Sequence, residues 1–94
     1  MVEKKDTTIE NIPALTRKIL SEHLNIPGDQ IEDNAHLIND FGIDSLKGVE
    51  ISIDLEEAVG FEIPDNHLER LYTFKNIVDY LQKQLKIEKE KLQR

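Results

Sequence analysis

Apolar residues recur at helical spacing in three stretches of the chain, and the polar intervals between them decide where each helix begins and ends. Ile12, Leu15, Ile19, Leu20 and Leu24 form one stripe, which predicts a first amphipathic helix. Two N-termini compete for it. Thr7 with Glu10 has the form of a capping box, but that start would leave Pro13 inside the helix, where it removes a hydrogen bond. Asn11 as N-cap instead puts Pro13 in the first turn, where its missing N–H costs nothing, and the sequence favours this start. Near the other end, Phe74, Ile77, Val78, Leu81 and Leu85 follow i, i+3, i+4, i+7 and i+11 behind Thr73, predicting a last helix capped by that threonine. Lys86 to Arg94 keeps helical composition, with Ile87 and Leu92, but charge dominates it and fraying is expected.

The middle of the chain is less regular. Asn25 to Ile43 holds Pro27, Gly28, Asn34, Asn39 and Gly42 with no sustained period, and reads as a long connection. Connections of this length are usually functional or disordered. Ile26, Ile31, Leu37, Phe41 and Ile43 predict an ordered one pinned to the core, with a short turn near Asp29.

A second helix is predicted from Leu46 to Val59, closed by Gly60. At 100° per residue it carries two apolar stripes. Ile51, Leu55, Ala58 and Val59, with Gly48 among them, suit the core, whereas Leu46, Val49 and Ile53 lie roughly opposite, rimmed by Glu50, Asp54, Glu56 and Glu57. A helix packing against a single core has no use for the second stripe. After Phe61, Glu62, Ile63 and Pro64, a short helix from Asp65 to about Leu71 is expected, with Leu68 and Leu71 inward and Ile63 sealing the core. No run reads as a strand pair and no internal repeat is visible. The fold class is therefore all-α: a four-helix bundle with a short third helix and a long loop between helices 1 and 2. Residues 1–10 form an N-terminal extension, 11–85 the domain and 86–94 a charged tail.

Composition narrows the function classes. Ninety-four residues, 38% of them hydrophobic and 33% charged, suit one small soluble core rather than a deep cleft between domains. No apolar run approaches a membrane span of about 20 residues, and the basic start lacks an apolar segment behind it, so the expected location is cytoplasmic. With no cysteine there is no disulfide framework and no thiolate chemistry of the chain's own. Any thiol must come from a cofactor. The net charge of −7 is concentrated: between Asn25 and Leu71 twelve acidic residues face only Lys47 and Arg70. Such a block attracts basic partners and repels nucleic acid.

Asp44, Ser45 and Leu46 stand where the connection meets the acidic helix. Taken alone, Asp-Ser at a helix start is an N-cap pattern, since either side chain can accept a backbone N–H. A phosphodiester on Ser45 Oγ would also lie at the positive end of the helix, with Gly42 supplying the turn that lifts the serine clear. A catalytic serine is disfavoured. The flanking glycines, Gly42 and Gly48, are three residues away on each side rather than two, no strand precedes, and His23, His36 and His67 lie on separate elements. An EF-hand loop from Asp40 fails because Gly42 and Ser45 occupy its third and sixth positions. The scattered histidines do not form a zinc pattern, and no metal is expected.

Taken together, these residues resemble the acyl carrier protein family of phosphopantetheine-binding carriers. The likeness runs from about Asn11 to Leu85 and includes Arg17 to Leu24, the acidic connection, Asp44 to Leu46, Val49 with Glu50, Leu55 to Glu57, and Phe61 to Asp65. It implies a 4'-phosphopantetheine arm on Ser45, flanked by Asp44 and Leu46 and attached by a phosphopantetheinyl transferase. Acyl groups would ride on the arm as thioesters. Acyltransferases, ketosynthases or related enzymes would dock basic patches on Glu50, Asp54, Glu56 and Glu57 and small apolar residues on Val49 and Ile53. A monomer without catalytic activity is expected. Val49, Ile53, Ile63, Leu68 and Leu71 are candidates to shelter an acyl chain. Two features depart from the family: Lys47 stands where an acidic or neutral residue is usual, and the charged tail is longer. The competing reading is an unmodified acidic module that binds and regulates a basic partner, with Ser45 only capping.

Overall fold

The computed structural model describes residues 8–64 and 72–92. Within them lie four α-helices: α1 Ile12–Leu24, α2 Leu37–Phe41, α3 Ser45–Val59 and α4 Phe74–Leu92. Among the described residues no β-strand forms, and His36 and Thr73 make an isolated antiparallel bridge. The all-α bundle predicted from the pattern is the fold observed. The short helix expected over Asp65 to Leu71 lies outside the described residues, as does His67.

α1 starts after Asn11, as predicted, with Pro13 in its first turn, but the cap is built differently. Asn11 is itself helical in backbone conformation and makes no side-chain cap bond. Thr8 caps a 3-10 turn over Ile9–Asn11 instead, its Oγ1 accepting the Asn11 N–H at 3.3 Å. That turn is held to α4, where Gln82 Nε2 donates to the Ile9 carbonyl at 3.0 Å. α4 begins on Thr73 as expected. Thr73 Oγ1 accepts the Asn76 N–H at 3.0 Å and Asn76 Oδ1 accepts the Thr73 N–H at 3.3 Å. This is the reciprocal arrangement of a capping box with a shorter amide in the third position. Helical structure runs beyond Leu85, with α4 continuing to Leu92.

The inward stripes meet in one core. Ile12, Ile19 and Leu20 of α1, Ile51, Leu55 and Val59 of α3, and Phe74, Ile77, Val78, Leu81 and Leu85 of α4 are all buried, together with Ile63. Burying each such side chain stabilises the fold by about 1.5 to 3 kcal/mol before chain entropy is counted. Two polar residues join them. Ser52 Oγ donates to the Val49 carbonyl at 2.8 Å, whereas Thr16 Oγ1 is buried with no hydrogen-bond partner among the described residues.

The connection from Asn25 to Asp44 is ordered by packing and by one cation. Ile31, Ala35, Leu37 and Ile43 are buried, and Ile26 and Phe41 lean on the core. The turn expected near Asp29 is a 3-10 turn over Gly28–Gln30. The five-residue α2 was not foreseen, because one helical turn and a half is too short to show a period. Arg17 reaches from α1 to donate through Nη1 to the carbonyls of Gly28, at 2.9 Å, and Ile31. Its guanidinium also stacks over the Phe74 ring at 4.4 Å and lies 3.8 Å from Asp33. Backbone bonds complete the seam: Leu37 N–H to Tyr72 C=O at 2.8 Å, Lys75 N–H to Asp33 C=O at 2.9 Å and Phe74 N–H to Ala35 C=O at 3.2 Å. The connection is thereby fixed to the start of α4, and it delivers the chain to Ser45 in one orientation.

Candidate functional site

Three residues place Ser45. Gly42 ends α2 in the left-handed region, φ 67°, its N–H donating to the carbonyls of Ile38 and Leu37. Nothing lies within 4 Å of where a Cβ would stand, so the glycine is needed for its backbone conformation and not for space. Ile43 then turns inward and is buried. Asp44 is extended and caps α3: its Oδ1 accepts the Lys47 N–H at 2.8 Å, and its carbonyl accepts the Gly48 N–H at 2.9 Å.

Ser45 is consequently the first residue of α3, one position earlier than the pattern predicts. Of the two side chains that could have capped, Asp44 does so. Ser45 is exposed, and its Oγ has no hydrogen-bond partner among the described residues. The N–H groups of Ser45 and Leu46 precede the intrahelical ladder, leaving the positive end of the macrodipole beside that hydroxyl.

Neither described histidine hydrogen-bonds to it. His23 Nε2 lies 2.6 Å from Asp54 Oδ2. His36 Nδ1 accepts the Asn39 N–H at 3.1 Å while its ring stacks on Tyr72, centroids 5.8 Å apart. Among the described residues, no group of three or more metal-ligating side chains gathers, and no helix is long and apolar enough to cross a membrane.

The outer stripe of α3 is on the surface, with Leu46 69%, Val49 49% and Ile53 46% exposed. Val49 and Ile53, named as possible lining for an acyl chain, therefore face solvent in this conformation, while Ile63 is in the core and Leu68 and Leu71 lie outside the described residues. The carboxylates around the stripe are engaged within the molecule. Glu50 pairs with Lys47 at 3.2 Å, Asp54 with His23 at 2.6 Å, and Glu56 Oε2 accepts the Ile63 N–H at 2.7 Å. Glu57 is exposed near the far end of the helix. There a shallow, open groove of about 320 Å³ is lined by Ile53, Glu56, Glu57, Gly60, Phe61 and Glu62. The His23–Asp54 and Glu56–Ile63 contacts were invisible to sequence reasoning, since no local spacing signals a partner on another element or loop.

An exposed hydroxyl at a helix N-terminus, with the capping duty taken by its neighbour, fits a covalently held phosphodiester. Residues 14–81, more than two thirds of the chain, match the family described as the phosphopantetheine attachment site. The chain belongs to that family, and is a carrier protein of the kind that bears 4'-phosphopantetheine covalently.

Proposed function

We propose that Ser45 is the residue to which the arm is attached, and that the protein carries acyl intermediates as thioesters between enzymes of fatty-acid, polyketide or related biosynthesis without catalysis of its own. The observation that carries this reading is the division of labour at the start of α3. Asp44 closes the helix, so the Ser45 hydroxyl is exposed and left for another protein to modify. In the modifying step a bond forms between Ser45 Oγ and phosphorus while the diphosphate bond of coenzyme A breaks. Adenosine bisphosphate leaves, and the serine proton passes to a base on the transferase.

The arm, when bound, supplies a terminal thiol that this cysteine-free chain lacks. The chain's own residues do the rest. The N–H groups of Ser45 and Leu46 favour the phosphate charge, and Leu46, Val49 and Ile53 offer a narrow apolar contact. Exposed carboxylates contribute only about 0 to 1 kcal/mol per ion pair, which suits brief docking by successive enzymes.

Incubating the unmodified protein with coenzyme A and a broad-specificity phosphopantetheinyl transferase, followed by intact mass measurement, tests the proposal. The added mass of one phosphopantetheinyl group is expected, localised to Ser45. An unchanged mass would favour the unmodified acidic module instead.

A further inference from the structure

Two glycines in the connection serve opposite ends. Gly42 makes a left-handed turn in open space, whereas a Cβ on Gly28 would stand 3.0 Å from Arg17 Cγ and 3.3 Å from its Cδ, so Gly28 is bare to let the arginine stem pass. The guanidinium beyond that stem donates to the carbonyls of Gly28 and Ile31, covers the Phe74 ring and lies beside Asp33. Backbone bonds carry the attachment on toward Ser45. The Asp33 and Ala35 carbonyls accept the Lys75 and Phe74 N–H groups, the Leu37 N–H donates to the Tyr72 carbonyl, and the Leu37 carbonyl accepts the Ile43 N–H at 3.1 Å. Ile43 is buried, and Asp44 next to it caps α3. An unbroken series of contacts therefore joins Arg17 to the residue before Ser45, and none of them lies on the outer face of α3.

We infer that Arg17 is a positioning residue for loading of the arm: it fastens the connection at Gly28, Ile31 and Phe74, and through Leu37 and Ile43 fixes the direction in which the chain enters α3, and hence the orientation in which the Ser45 hydroxyl meets the transferase. This rests on Ser45 being the attachment point, and it adds a residue distant in sequence to those that serve it. Only 32% of the Arg17 side chain is exposed, so an approaching enzyme meets little of it and its part is played through the connection. Phosphoryl transfer needs the serine oxygen about 3 to 3.5 Å from phosphorus and in line with the bond that breaks. Loosening the connection widens the range of hydroxyl orientations and lowers the fraction of docked encounters that react. Docking on the outer strip of α3 is left as it was. Lysine replaces the arginine only in part, since an ammonium has neither the planar face that covers Phe74 nor donors held in fixed directions.

The test is the rate of mass addition at Ser45 in the unmodified protein, with coenzyme A and a broad-specificity phosphopantetheinyl transferase, resolved into kcat and KM for the carrier at a temperature well below the melt of every variant. Arg17→Ala should lower kcat by about tenfold and leave KM within about twofold of the wild type. Arg17→Lys should recover part of the loss. Gly28→Ala, which keeps the guanidinium but crowds its stem, should lower kcat by about threefold, and should add nothing further in the Arg17→Ala background, where the stem is gone. Leu85→Ala, in the core roughly 16 Å along α4 from Phe74, should lower the melting temperature by a comparable amount and leave kcat unchanged. A wild-type kcat in Arg17→Ala overturns the inference, and so does a loss confined to KM or one matched by Leu85→Ala; the carrier reading stands in each case. Ser45 remaining unmodified in the wild type overturns the carrier reading and this inference with it.

Discussion

The connection between α1 and α3 and the outer face of α3 adjoin in sequence and hold similar aliphatic side chains, yet the fold treats them in opposite ways. In the irregular connection, Ile31, Leu37 and Ile43 are buried, and Arg17 ties the backbone down through two carbonyls. On the regular helix, Leu46, Val49 and Ile53 are in water. A helix satisfies its own backbone and can leave an apolar strip uncovered, whereas an irregular segment needs buried side chains and outside donors to hold one shape. The connection is thus held to the core, while the outer strip of α3 is left exposed.

The sharpest break between the two regions falls at their junction. Ser45→Ala should abolish mass addition by the transferase completely while leaving the thermal melt within error of the wild type, because its hydroxyl bonds to no described residue. Further inside the connection, Ile31→Ala should cost about 2 to 5 kcal/mol in urea unfolding. Ile53→Ala on the outer face should stay within about 0.5 kcal/mol and weaken partner docking instead. Comparable stability losses at both positions would erase the distinction between a pinned loop and an open face. Arg17→Ala removes charge-assisted bonds to two carbonyls, and should destabilise by about 1.5 to 3 kcal/mol. Hydrogen exchange should accelerate at the Leu37 and Lys75 amides in that variant before it accelerates in α3. Asp44→Ala, at the boundary, should cost about 1 kcal/mol through loss of the cap. It should also slow modification of Ser45 without abolishing it, measured by the rate of mass gain.

Much of this molecule was legible in its residue pattern, because amphipathic helices write their inward faces at fixed intervals. The stripes on α1, α3 and α4, the Thr73 cap, the Gly60 stop and the exposed second stripe of α3 all follow from periodicity and capping chemistry. The Asp-Ser-Leu junction also pointed to the family. Where two side chains could do one job the sequence was ambiguous, and geometry chose Asp44 rather than Ser45 to cap α3; at the entry to α1, where the sequence offered Thr7 or Asn11, the side-chain cap comes from Thr8. Contacts made across long stretches of chain carry no local signature, so tertiary structure alone decided that His23 would meet Asp54 and that Glu56 would hold the Ile63 amide. It alone decided that Arg17 would fasten the connection to Phe74. Periodicity records which way a side chain faces; only the folded chain determines what it finds there.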